Sequence, residues 1–179
     1  MKTPLLRLFA FGILMFVPCL AWAKTSLIPI PAGMSARDLT GDGRPEKILK
    51  LWRENYNAHG YYVLIFLEDG TPPSVIGILP HNQTTPQNSL ETRQGADCVV
   101  RDFRLMVDEN ATTLVQAEKS TETADYSASA PVIFAYYTLK HNKDGAAGSP
   151  AFSFEWIKTQ TSTRPYCDVN EAFERERVF

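Results

Sequence analysis

Histidine is scarce in this 179-residue chain. Its three copies, His59, His81 and His141, stand far apart, with no H-x-H, H-x-x-H or H-E-x-x-H spacing. A zinc site written into a local motif is thereby excluded. The sequence also lacks a G-x-S-x-G elbow, an S-x-x-K pair and a Gly-rich phosphate loop. Those absences leave a nucleophile-elbow hydrolase, a serine β-lactamase and a phosphate-loop enzyme without support in the sequence. No catalytic motif remains, and the expectation is a protein that is not an enzyme. Glu171 and Glu174 are acidic neighbours on a short helix and read as solvated groups. Basic runs are missing too: Lys and Arg number 18 against 20 Asp and Glu, a formal net charge of −2. Nothing here supports binding to nucleic acid, whose phosphates demand clustered cations. Internal repeats of fixed period are absent.

Long apolar runs are confined to the beginning. Lys2 and Arg7 precede "LFAFGILMFVPCLAWA", which ends in Ala21-Trp22-Ala23. That is the layout of a secretory signal over residues 1–23, cut before Lys24. A membrane anchor normally needs ~20 apolar residues; this run is shorter and carries no basic stop-transfer flank. Pro18 directly before Cys19 does not suit lipid modification, so Cys19 is expected to leave with the signal. A single domain over 24–179, periplasmic or secreted and with no membrane span after cleavage, is the expectation. Cys98 and Cys167 then remain, and an exported pair is most simply a disulfide. Closing a loop of that length is worth roughly 4 kcal/mol on the entropic model. Neither thiol has a histidine near it in sequence to activate it as a nucleophile.

What the chain has in quantity is strand-forming sequence. "EKILKLW" (46–52), "YYVLIFL" (61–67), "SVIGIL" (74–79), "CVVRDFRLMV" (98–107), "TTLVQAE" (112–118), "VIFAYYTLK" (132–140) and "AFSFEWIK" (151–158) are rich in β-branched and aromatic residues. Turn clusters such as "DGTPP" and "HNKDGAAGSP" separate them. Residues 61–67 and 132–137 are apolar on both faces, as in central strands covered twice. Phe152, Phe154 and Trp156 alternate with Ala151, Ser153 and Glu155, giving one aromatic face. In 99–107, Val99, Phe103, Leu105 and Val107 share a face while Asp102 and Arg104 point away. The fold class is therefore all-β, a compact antiparallel β-sandwich or strongly bent sheet. One short C-terminal helix follows, with Asp168 as N-cap, Glu171 completing a capping box, and Val169, Ala172 and Phe173 on one side. Residues 80–97 have few large apolar groups and read as a long loop.

The stretch "DLTGDGRPE" (38–46) is the candidate metal site. Asp38, Thr40, Asp42 and Gly43 meet the first demands of an EF-hand loop, but position twelve is Leu49, which excludes that motif. The stretch resembles more closely a single integrin-like, VCBS-type calcium loop, whose last carboxylate would be Glu46. Thr40 in a ligand position and the positive Arg44 both weaken affinity for a divalent ion. The competing reading, which is preferred, is a structural turn. In it Asp38 and Asp42 accept backbone N–H bonds, and Gly41 and Gly43 supply unusual φ angles. No cofactor is expected, calcium being the sole candidate. His59 lies in "ENYNAHGYY" beside Asn55 and Asn57, close in sequence to this turn.

Taken in order, "DLTGDG" leading into a strand, "W-x-E-N-Y-N-A-H-G", "DCVVRDFRL" and the closing "YCDVNEAF" resemble the CarG-type carbapenem intrinsic-resistance family over most of the chain after the signal. The resemblance implies a periplasmic, β-rich homodimer that protects against a carbapenem by binding or sequestering it, without hydrolysis. It carries no catalytic residue with it. Such a pocket must hold a carboxylate, for which an arginine is the best single provider. Arg101 and Arg104 are the candidates, with Asn55 and His59 as further ligand-binding candidates; the alternative is that the arginines pair with Asp97 or Asp102. Two other readings stay open: a protein–protein module such as an inhibitor of an envelope enzyme, and a calcium-stabilised structural domain.

Overall fold

In the computed structural model the described residues are 26–56, 59–95, 97–107, 111–121 and 126–178. The secretory signal expected over 1–23 lies outside them. Eleven strands run in chain order: β1 (Ser26–Pro29), β2 (Gly33–Arg37), β3 (Glu46–Arg53), β4 (Tyr61–Glu68), β5 (Ser74–Leu79), β6 (Leu90–Glu91), β7 (Arg93–Gly95), β8 (Cys98–Val107), β9 (Thr112–Lys119), β10 (Val132–His141) and β11 (Phe152–Thr161). One helix follows among the described residues, α1 (Val169–Arg175). No helix among the described residues is long and apolar enough to cross a membrane.

The strands form one sheet in the order β1-β8-β9-β10-β11-β5-β4-β3-β2, with β6 added to β4 and β7 to β8. The bent-sheet alternative is thus the one realised, as a curled half-barrel. It is mixed rather than purely antiparallel: β11 and β5 run parallel, Phe154 opposite Ile78. That one pairing joins the two halves of the curl. β1 and β2 stand at opposite ends of the strand order, yet only Ile30, Pro31 and Ala32 separate them. Four peptide steps reach no further than ~14 Å, so the two ends of the sheet must curl back to face each other across a narrow seam.

The inside of the curl holds the larger core, including Ile48, Leu64, Phe66, Ile76, Phe103, Leu105, Tyr137 and Phe154. Each fully buried side chain of this size contributes ~1.5–3 kcal/mol. The second core lies on the other face of β9 and β10, where Val115, Ala117, Phe134 and Tyr136 meet Val169, Ala172 and Phe173 of α1. These three helix residues fall on one side, as their spacing predicts.

Two expectations about faces are corrected. Val99 packs against the helix-side core and not with Phe103. The reason is a register shift in the β7–β8 ladder, where Arg93 faces Arg101 but Gln94 faces Val99; the extra residue, Val100, inverts the alternation. β4 is also not covered twice. Leu64 and Phe66 point into the core, whereas Val63, Ile65 and Leu67 are only partly buried. They continue a row with Leu49, Leu51 and Met34 through the β2–β3–β4 register. Met34 is 72% exposed, and α1 packs on β8 and β9 instead.

Cys98 and Cys167 form a disulfide with their Cα atoms 5.8 Å apart. It ties the start of β8 to the residue before the helix N-cap. Asp168 caps as predicted, accepting from Asn170 N at 2.7 Å, and its second oxygen accepts from Val99 N at 3.0 Å. Glu171 does not close a capping box; it faces Arg164 at 3.7 Å instead.

At the seam lies a buried ionic group. Asp102 sits on the β8 edge, between the residues paired with β7 and those paired with β1. One of its oxygens accepts from Lys50 Nζ of β3 at 3.0 Å and the other from Arg104 Nη1 at 2.7 Å. All three side chains are nearly enclosed, at 10–14% exposure. Arg104 also donates to the Phe103 carbonyl and to Asn170 Oδ1 of α1. Its guanidinium lies 4.8 Å over the Phe173 ring, and Lys50 lies 5.3 Å over Tyr62. Aromatic faces stabilise cations that have lost water.

Candidate functional site

The sequence-predicted residues divide between places. Arg101 and Arg104 are three positions apart on β8 and so point to opposite faces. Arg104 turns to α1 and is consumed by Asp102, the pairing anticipated as the alternative. Arg101 turns to the inside of the curl and pairs with Glu118, its direct register partner on β9, not with Asp97 or Asp102. Asn55 and His59 lie in the β3–β4 connection, where Asn55 Nδ2 donates to the His59 carbonyl at 3.1 Å. Neither lines the cleft that Arg101 enters.

That cleft has a volume of about 480 Å³. Its floor is Arg101 and Phe103 of β8, Gln116 of β9 and Tyr137 of β10; its wall is the segment from Pro80 to Glu91. The wall is not the structureless loop expected for 80–97. Gln87 and Ile78 of β5 exchange backbone hydrogen bonds of 2.7 and 2.9 Å, and Leu90 pairs with Leu64 while its side chain enters the core. His81 rests against the Trp156 ring with centroids 3.9 Å apart. A polar segment is thus held down at three points over the open end of the curl.

The electrostatics centre on Arg101. Its Nη2 donates to Glu118, whose other oxygen accepts from Gln116 Nε2 at 3.0 Å. The Arg101 Nε is enclosed and has no acceptor. A buried donor without a partner forgoes ~1–3 kcal/mol, and native proteins seldom leave one so unless water or a ligand meets it. Burial pushes the Tyr137 phenol pKa upward and the Glu118 charge adds to this, while Arg101 opposes it. The phenol is therefore a neutral donor at physiological pH. Gln83, Gln87, Asn88 and Ser89 supply neutral polar groups along the wall. Sequence reasoning missed Gln116, Glu118 and Tyr137. The available signal was two polar residues, at 116 and 118, on the side of β9 that Leu114 gives to the core.

A second cleft, of about 500 Å³, borders the acidic turn. Oxygens of Asp38, Asp42 and Glu46 lie within 4.8 Å of one another. A calcium ion there would be held by these carboxylates and the Thr40 hydroxyl. Each carboxylate is already engaged, however. Asp38 accepts from Gly41 N at 2.7 Å and Gly43 N at 2.9 Å, with φ at +78° and +86°. Glu46 accepts from Leu39 N and from Thr40 Oγ1 at 3.0 Å. Arg44 donates to Asp42 through its side chain at 2.7 Å and its backbone at 2.8 Å, which holds the Asp42 carboxyl below its ordinary pKa. These hydrogen bonds describe a closed turn, in which Arg44 pairs with Asp42 and its side chain is 75% exposed. Excess chelator is expected to leave the melting curve unchanged, whereas Glu46→Ala, which strands the buried Leu39 N–H and the part-buried Thr40 hydroxyl, should cost ~1–3 kcal/mol. A melting temperature that rises steeply with added calcium would reverse this assignment.

The fold and cleft define a class: a small, disulfide-pinned, curled β protein with a polar ligand-sized hollow at its open end. Within that class, a family model described as carbapenem resistance protein CarG-like matches residues 30–175, and the chain belongs to the CarG-like family. The solved structure titled "Crystal structure of CarG" superposes with a TM-score of 0.71 at 22% identity, covering 86% of this chain and 96% of that one. No curated protein matches the sequence significantly.

Proposed function

We propose that this protein is exported and protects against a carbapenem by binding it in the Arg101 cleft and sequestering it, without hydrolysis. The observation that carries the proposal is the Arg101 guanidinium, held in place by Glu118 with an enclosed Nε still lacking an acceptor, in a hollow of a size typical of small-molecule sites. A carbapenem carboxylate would meet the part of the guanidinium that reaches the cleft, the Arg101 side chain being 30% exposed. The family description names carbapenem resistance and so supports this ligand class. Calorimetry with purified protein should show stoichiometric binding, and the drug recovered afterwards should be chemically intact. Arg101→Ala should weaken binding by about tenfold or more, the worth of one hydrogen bond to a charged group. Arg104→Ala should damage stability instead, leaving the affinity of the folded fraction unchanged. Recovery of ring-opened drug would make the protein an enzyme.

The outward-facing apolar row of Met34, Leu49, Leu51, Val63, Ile65 and Leu67, of which Met34 and Leu51 are exposed and the others partly buried, favours a second reading that is compatible with the first. We propose that it joins two copies of the chain. The row flanks β2, an edge strand whose outer backbone groups have no strand partner among the described residues. An apolar outer surface of this kind suits a self-complementary dimer. Light scattering should give twice the chain mass, and Met34→Glu should give monomers.

A further inference from the structure

Three tyrosines are buried among the described residues, and their hydroxyls fare differently. Tyr136 donates to Gln160 Oε1 at 3.1 Å, and Tyr166 donates to Glu176 Oε1 at 2.8 Å. The hydroxyl of Tyr137, a residue only 5% exposed, has no hydrogen-bond partner among the described residues. It is not sealed in, in contrast to the Arg101 Nε and the Trp156 Nε1, and the side chain lines the hollow. Buried phenols normally find a partner, so one left open on a cleft floor points to a group that arrives from outside. Strand geometry aims it there. Consecutive residues of β10 face opposite ways, so Tyr136 enters the helix-side core and Tyr137 the inner one. Gln116 of β9 lies on the strand between Tyr137 and Arg101 and lines the same hollow. The charges nearby select among acceptors. Arg101 is already offset by Glu118, and both of these charges act on the Tyr137 phenol. A second anion beside the phenol would be repelled by Glu118, whereas a neutral carbonyl oxygen accepts its proton freely. Opening a lactam ring turns that carbonyl into a carboxylate. Intact and opened rings therefore differ by one negative charge at the atom the phenol would meet.

Resting on the carbapenem-binding reading of this cleft, we propose that Tyr137 is its second ligand contact. The hydroxyl donates to the lactam carbonyl while the exposed part of the Arg101 guanidinium holds the carboxylate. The cleft thereby takes the intact monoanion in preference to the ring-opened dianion. Arg101 meets a carboxylate that both forms carry, and Tyr137 tells the two apart. A sequestering protein built in this way keeps its hollow for active drug and lets spent drug go.

The test is calorimetric titration of the native protein and of Tyr137→Phe with two probes, a carbapenem monocarboxylate with an uncharged C2 arm and the same compound after alkaline ring opening. The native protein is expected to prefer the intact probe by about tenfold or more. Tyr137→Phe should weaken the intact probe by about fivefold to tenfold, the worth of one neutral hydrogen bond, and leave the opened probe within about twofold. The ring stays in place and no hydrogen bond within the protein is lost, so the variant should melt no lower than the native protein. A melting temperature lowered by several degrees would show the hydroxyl tied into the fold and overturn the assignment. Unchanged affinity of Tyr137→Phe for the intact probe, or equal binding of both probes by the native protein, also overturns it and leaves the carbapenem reading standing. Failure of the native protein to bind the intact probe overturns both.

Discussion

Asp102→Ala is expected to lower the unfolding free energy by about 3–5 kcal/mol, the usual cost of removing one partner from a buried ionic group. The side chain joins Lys50 of β3 to Arg104 of β8 across the seam, at distances of 3.0 and 2.7 Å. Without it, two cations remain where exposure is only 11% and 14%. The Tyr62 and Phe173 rings and the Asn170 carbonyl ease this burial and do not neutralise it. Asp102→Asn keeps the shape and loses the charge, so it should be nearly as damaging. Replacing Lys50, Asp102 and Arg104 together by Met or Leu removes the charges with their shared need, and should fall far closer to the native stability. Urea denaturation of the three variants provides the comparison. A loss below 1 kcal/mol for Asp102→Ala would show that the group is solvated in solution.

Removing the disulfide by changing Cys98 and Cys167 to Ser should cost about 2–5 kcal/mol, with little change in strand content. The two effects have different origins. Asp102 acts on the folded state, whereas the crosslink acts chiefly by restricting the unfolded chain. In the folded state α1 keeps its other attachments: Asp168 to Val99, Arg104 to Asn170, and Val169 and Phe173 in the core. The double-serine protein should therefore unfold at lower urea while its circular dichroism before the transition matches the native spectrum. Thiol titration of the unreduced, denatured protein without its expected signal should find no free thiol. A free pair, or an unchanged midpoint, would remove the crosslink from the account of stability.

The strands legible in the sequence were those that bring their own apolar side chains. β3, β4, β5, β8, β9, β10 and β11 announce themselves through Val, Ile, Phe and Tyr. β2, with the sequence Gly-Met-Ser-Ala-Arg, is largely exposed and owes its existence to the edge that β3 offers. β6 and β7 are two and three residues long and are specified by the backbones of β4 and β8. Such short additions carry no periodicity to read. The parallel β5–β11 junction was hidden for another reason, since alternation fixes a face and leaves the neighbour open. At the candidate site both arginines are offered from the sequence as ligand groups, although parity along β8 sets Arg101 and Arg104 on opposite faces. Parity could not tell which face of β8 would receive the helix and which the hollow. That choice follows the apolar side of α1, whose Val169, Ala172 and Phe173 pack with Val115 and Ala117 of β9 and Phe134 and Tyr136 of β10.

The three-residue link from Pro29 to Gly33 restricts how the molecule can breathe. A half-barrel with free ends admits guests by flattening, like a hand opening. Here the two ends are leashed to each other by Ile30–Pro31–Ala32, and proline shortens the repertoire of that leash further. Flattening the sheet would also tear Lys50 from Asp102. The frame is accordingly a fixed mould; if the hollow takes a ligand as proposed, the wall that strand pairing holds most lightly is the span between Pro80 and Ser89. Exchange rates of guests should follow the stiffness of that span, changing when it is clamped to β11 near Trp156 and staying indifferent to how tightly the seam is sewn.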